Sequence, residues 1–231
     1  MQRRDFIKFC AASTAGGTSL LTAADAQARL YPRARLVDER GRPLRAADVP
    51  PERNLIFNYP YRATPCFLLN LGRPAGLPVR LQTVDSGSYE WQGGVGPQRS
   101  LVAYSAICAH KLAYPTRQIS FISYRSQAGA ADRHAHVIHC CSEHSQYDPA
   151  EGAKVVAGPA PQPLAAILLE HDAASDELHA VGTLGGEMFN QFFAKYNFKL
   201  HLEYGAEVRE AAGDSVTVLP IEDYCRQQVK C

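Results

Sequence analysis

Two short stretches of this 231-residue chain concentrate soft metal ligands. The first reads Tyr104-Ser-Ala-Ile-Cys108-Ala-His110-Lys-Leu112. The second reads His139-Cys140-Cys141-Ser-Glu-His144-Ser145-Gln-Tyr147-Asp148-Pro149. They contain Cys108-x-His110 and Cys141-x-x-His144, one thiolate and one imidazole from each of two segments. Four such ligands on paired loops suit tetrahedral zinc or an iron–sulfur cluster. Zinc sites of the two-Cys, two-His kind typically pair the cysteines first and the histidines later. Here each loop supplies one of each, which favours iron–sulfur.

Short β-rich runs surround the two stretches: Leu55–Tyr59, Cys66–Leu71, Val79–Val84, Ser100–Ile107, Ile119–Tyr124, Ala135–Cys140, Ile167–His171 and Leu178–Val181. Turn residues such as Leu71-Gly-Arg-Pro74 and Gly93-Gly-Val-Gly-Pro97 separate them. Strands this short and closely spaced predict a mainly β, antiparallel architecture. One helix is expected at Gly186–Tyr196, where Met188, Phe192 and Tyr196 share a face, followed by strands at Lys199–Tyr204 and Ser215–Leu219. Residues 29–53 carry seven arginines, four acidic residues and four prolines with little apolar periodicity, and read as an exposed arm. The expected organisation is residues 1–28 as leader, 29–53 as arm, 54–184 as the ligand-bearing domain and 185–231 as a C-terminal extension.

Composition excludes several classes. A formal charge of +1 gives no broad electrostatic footprint for nucleic acid, and no uninterrupted apolar stretch is long enough for a multi-span membrane protein. No Cys-x-x-Cys-His is present, so covalent haem is not indicated. The glycine-rich Gly93–Pro97 lacks the Lys-Ser/Thr of a phosphate loop and reads as a turn. His134, His136 and His139 lie on a strand in which alternation sets His134, His136 and Cys140 on one face and His139 with Cys141 on the other; a polar strand face or satisfied core histidines is the simpler reading than a second metal site.

The chain opens Gln2-Arg3-Arg4-Asp5-Phe6-Ile7-Lys8, continues through a weakly apolar run to Ala24, and offers Ala24-Asp-Ala26-Gln-Ala28 as a cleavage site. This pattern resembles a twin-arginine export signal, the route for proteins already folded. Kept uncleaved, the segment would be a weak membrane anchor. Cleavage removes three basic and two acidic residues and leaves a neutral chain. An oxidising compartment makes one disulfide among Cys66, Cys225 and Cys231 credible; the pairing, and the state of Cys140, stay open.

The mixed ligand order resembles the Rieske [2Fe–2S] proteins, in which one iron sits on two cysteines and the other on two histidines. The likeness spans Val79 to Gly182. It implies a Rieske-type β sandwich with a cluster-binding subdomain, a [2Fe–2S] cofactor on Cys108, His110, Cys141 and His144, and tuning by Ser145, Tyr147 and the proline-containing loop at Gly158 and Pro159. In quinol:cytochrome c reductases each cluster loop of this family carries an extra cysteine, and the two form a disulfide; the matching positions here are Ala113 and Glu143. The second loop also runs one residue short after His144 relative to the family's His-Gly-Ser-x-Tyr. The resemblance implies a periplasmic electron-transfer subunit with no catalytic site of its own, docked on a larger oxidoreductase (as in arsenite oxidase) or on a cytochrome. The iron–sulfur subunit of a quinol:cytochrome c reductase is the second possibility and a stand-alone soluble carrier the third; the rival from another class is a non-redox, zinc-stabilised binding domain. The 49 residues after Gly182 are too few for the catalytic domain of a ring-hydroxylating oxygenase.

Overall fold

The computed structural model describes residues 28–85, 87–129 and 134–231. The expected leader lies outside the described residues. No helix among the described residues is long and apolar enough to cross a membrane.

The chain is mainly β. In order, the strands are β1 (Arg29–Val37), β2 (Leu55–Asn58), β3 (Pro65–Asn70), β4 (Val79–Thr83), β5 (Gly87–Trp91) and β6 (Leu101–Ser105). Then come β7 (Ile119–Ser120), β8 (Ile122–Arg125), β9 (Val137–Cys140), β10 (Ser145–Asp148) and β11 (Lys154–Ala157). The remainder are β12 (Ala166–Asp172), β13 (Glu177–Leu184), β14 (Ser215–Thr217), β15 (Leu219–Pro220) and β16 (Gln227–Gln228), with helices α1 (Phe189–Tyr204) and α2 (Ile221–Tyr224).

Eight strands form one sheet in the order β14-β1-β13-β12-β6-β3-β2-β15. Its two edges come from one segment: Ser215–Thr217 pairs with β1, and Leu219–Pro220 pairs with β2. The sheet therefore rolls round on itself, which removes the exposed edges that invite aggregation. Alternation decides what fills the roll. Phe57, Cys66, Leu68, Leu101, Ala103, Ile167 and Ala180 point inward with Ala34 and Leu36. Their neighbours Ile56, Phe67, Leu69, Val102 and Tyr104 point outward into a second core. Strands β3 and β6 are thus buried on both faces, which is why their sequences read as unbroken apolar runs.

The outward face is covered by a four-stranded sheet, β11-β10-β9-β8, and the hairpin β4-β5. Ile122, Tyr124, Ile138 and Tyr147 project from the smaller sheet onto Phe67, Val102 and Tyr104. Each fully buried side chain of this size contributes about 1.5–3 kcal/mol, so the small sheet is held as firmly as a domain core.

Two expectations change. The arginine-rich segment at 29–37 is not a free arm: it is β1, hydrogen-bonded between β13 and β14. Ala34 and Leu36 are buried at period two, while Arg33 and Arg35 pair with Glu170 and Glu177 on the outer surface. The expected strand at Lys199–Tyr204 is the second half of α1. The helix bends at Tyr196, whose φ of −108° and ψ of 18° lie off the helical values, then continues with Leu200 buried beside Phe189, Phe192 and Phe193.

Candidate metal centre

The first ligand loop leaves the outer face of β6. Val102, Tyr104, Ala106 and Cys108 continue one alternating row into the core between the sheets, so Cys108 arrives there as the last member of a buried stripe. A tight turn follows, in which the Leu112 N–H donates to the Cys108 carbonyl at 2.9 Å and the Cys108 N–H to the Ala113 carbonyl at 2.9 Å.

The second loop is the tip of the β9–β10 hairpin. Cys140 pairs with Ser145 across the ladder and with Ile122 on the other side. These residues share one face, with Ile138 and Tyr147, and that face looks into the core towards Cys108. The four-residue turn is Cys141-Ser142-Glu143-His144, and His144 takes a φ of +58°, the left-handed conformation that glycine adopts most readily. The third loop closes against it: a Cβ on Gly158, itself at φ +82°, would lie 2.4 Å from the His144 carbonyl oxygen. Only glycine lets the backbones come this close. Pro159 follows it at the surface.

Cys108 and Cys140 lie together in the core between the sheets, both almost fully buried. The hydrogen bond from Cys140 pulls the Cys108 thiol well below its ordinary value, helped by Tyr147 and by backbone N–H groups of the turn; the Cys140 thiol is raised by the same contact. Tyr147, fully buried, sets its hydroxyl 3.3 Å from Cys108 Sγ and accepts the Ala109 N–H at 3.2 Å. Either atom of the Cys108–Tyr147 contact can donate, and a deprotonated Cys108 leaves the hydroxyl as the donor. Two buried polar atoms on the same two loops have no partner, His110 Nδ1 and Ser145 Oγ. Leaving such groups unsatisfied costs about 1–3 kcal/mol each, so the thiol pair, an unpaired imidazole nitrogen and a hydroxyl make a donor set prepared for a bound group. At the rim, Glu143 Oε2 lies 3.9 Å from His110 Nδ1, and Glu143 Oε1 lies 3.5 Å from Lys111 Nζ.

The quartet expected from sequence divides. Cys108 and His110 are at this centre. Cys141 is not: its side chain points to the opposite face of the hairpin and forms a disulfide with Cys231, with Cα atoms 5.6 Å apart. His144 is exposed, and its ring lies 5.7 Å from that of His139, on the same opposite face. The cause is strand alternation. Ile138 and Cys140 face the core, so His139 and Cys141 must face away. Counted from Cys140, the loop reads Cys-x-x-Glu-His-Ser-x-Tyr. Of the expected tuning residues, Ser145, Tyr147 and Gly158 all border the centre.

On the far face, His139 is buried and its ring nitrogens lie 3.5 and 3.7 Å from Cys231 Sγ. Arg125 donates to the Val229 carbonyl at 2.7 Å and reaches Cys141 Sγ at 3.3 Å. The C-terminal strand β16 runs parallel to β7 beside it. Cys231 thus finds its partner in a loop cysteine, while Cys66 and Cys225 are free and buried. His134 and His136 do not join them: His134 meets Gln146 at 2.9 Å and His136 meets Tyr124 at 3.2 Å.

No protein-family model matches the chain. Among solved structures it is similar to the soluble domain of Rieske protein II from Sulfolobus acidocaldarius, at 24% identity and a TM-score of 0.47, over 68% of this chain and 82% of that one.

Proposed function

We propose that the chain carries one electron at a time through a Rieske-like [2Fe–2S] cluster, held by Cys108 and Cys140 on one side and by His110 on the other. The observation that carries this is a pair of buried thiols on two loops that also bring in an unpaired imidazole nitrogen and an unpaired hydroxyl. A [2Fe–2S] cluster supplies reversible one-electron transfer and no bond-making chemistry. The residues around it do the rest. Tyr147 donates towards Cys108 Sγ, and such a bond favours the more negative, reduced state. Ser145 Oγ is placed to donate in the same sense. Phe67, Val102 and Tyr104 exclude water from the cysteine side, while His110 keeps about a fifth of its side chain exposed and gives electrons their way in and out.

The twin-arginine-like opening supports a periplasmic location, because a cluster inserted in the cytoplasm must cross the membrane with its fold intact. The role that fits this export route is that of a subunit docked on a larger oxidoreductase, arsenite-oxidase-like, in preference to the iron–sulfur subunit of a quinol:cytochrome c reductase. The anchoring of such a subunit in that second complex would call for a stronger apolar segment than residues 9–24 offer.

The test is low-temperature EPR with metal analysis on the purified full-length chain, reduced with ascorbate or dithionite. Two irons per chain with a [2Fe–2S] signal is the expected result. A colourless protein holding zinc would replace electron transfer with a structural metal site.

A further inference from the structure

The three donors Cys108, Cys140 and His110 leave one iron of such a cluster a ligand short, and the chain's own geometry names the fourth. Resting on the electron-transfer reading above, we infer that Glu143 is that ligand, so that the centre is held by two thiolates, one imidazole and one carboxylate.

Glu143 Oε2 stands 3.9 Å from the partnerless Nδ1 of His110. Two donors that share one metal ion, each about 2 Å from it, lie roughly 3.3 Å apart when tetrahedral, so this pair needs only a small adjustment to converge on one ion. The other residues of the two loops are accounted for. Cys141 is committed to Cys231. His144 turns towards His139. Lys111, as an ammonium, has no lone pair to give. Its contact with the second carboxylate oxygen of Glu143 is solvent-exposed and leaves Oε2 free.

The substitution has a chemical consequence. Imidazole ligands raise the potential of a [2Fe–2S] centre because they are neutral where thiolates are anionic. A carboxylate returns one negative charge to the histidine side, so this centre should be harder to reduce than one with two imidazoles.

Pulsed EPR on the dithionite-reduced holoprotein counts the nitrogens coupled to the cluster. One imidazole nitrogen is expected in the native chain. Glu143→His should show two and a higher midpoint potential, and Glu143→Ala should lose iron during purification. Lys111→Ala should keep the native spectrum. Two nitrogens in the native chain, or an unchanged spectrum and iron content in Glu143→Ala, would overturn the carboxylate ligand while leaving the cluster intact. A chain without any [2Fe–2S] signal would overturn the electron-transfer reading and this ligand with it. Circular dichroism of each variant separates loss of ligand from loss of fold.

Discussion

The β9–β10 hairpin has two faces that treat adjacent cysteines in opposite ways. On the inner face, Cys140 is buried among Ile122, Ile138 and Tyr147 and meets the thiol of Cys108. On the outer face, Cys141 is half-buried, reached by Arg125, and joined to Cys231. One residue of offset in a strand exchanges a thiol turned to the core for one tied in a disulfide. The lesson is that ligand spacing along a chain is subordinate to the pleat: Cys-x-x-His matched a pattern, and the side-chain alternation of β9 overrode it.

The sharpest way to break the inner face is Cys108→Ser, which should abolish iron binding altogether, read as the iron-to-protein ratio and the visible spectrum; retained iron would remove Cys108 from the ligand set. Next in size is the outer face. The Cys141–Cys231 bridge closes a span of 90 residues, so Cys231→Ser should cost about 2–4 kcal/mol in denaturant unfolding while iron content stays near native. Loss of iron in that variant would mean the two faces are not independent.

Gly158→Ala tests the packing that joins the third loop to the hairpin. It forces a Cβ into the His144 carbonyl at a left-handed backbone position, and should lower stability by about 1–3 kcal/mol, seen as a lower melting temperature. The smallest effect belongs to Tyr147→Phe. Removing one hydrogen bond to Cys108 is worth about 1 kcal/mol, or about 40 mV for a one-electron couple, and the midpoint potential should fall by that amount. An unchanged potential would show that the hydroxyl serves the Ala109 N–H alone.

The sequence makes the β architecture plain because β3, β6 and β9 are apolar and bounded by turns. It also marks Cys108, His110, Ser145, Tyr147 and Gly158 as neighbours of one centre. The segment 29–37 misleads because its arginines dominate the composition while only Ala34, Leu36 and Val37 are buried. The stretch Lys199–Tyr204 alternates like a strand, yet Leu202 is exposed while Leu200 and Tyr204, four residues apart, meet the core, as continuation of the helix requires. Glu143 gave no signal as a ligand, because an exposed acid next to a lysine is ordinary surface until His110 is placed beside it. Cys140 did carry one. Strand alternation opposed it to Cys141, and an inward residue following Ile138 is the one that reaches a buried partner.

Two variants made side by side, Cys140→Ser and Cys141→Ser, measure which face of the hairpin holds the metal. Iron content and the EPR signal should vanish in Cys140→Ser and persist in Cys141→Ser, which should lose stability instead. The reverse outcome, iron lost from Cys141→Ser and kept by Cys140→Ser, would contradict the placement of the centre on the inner face.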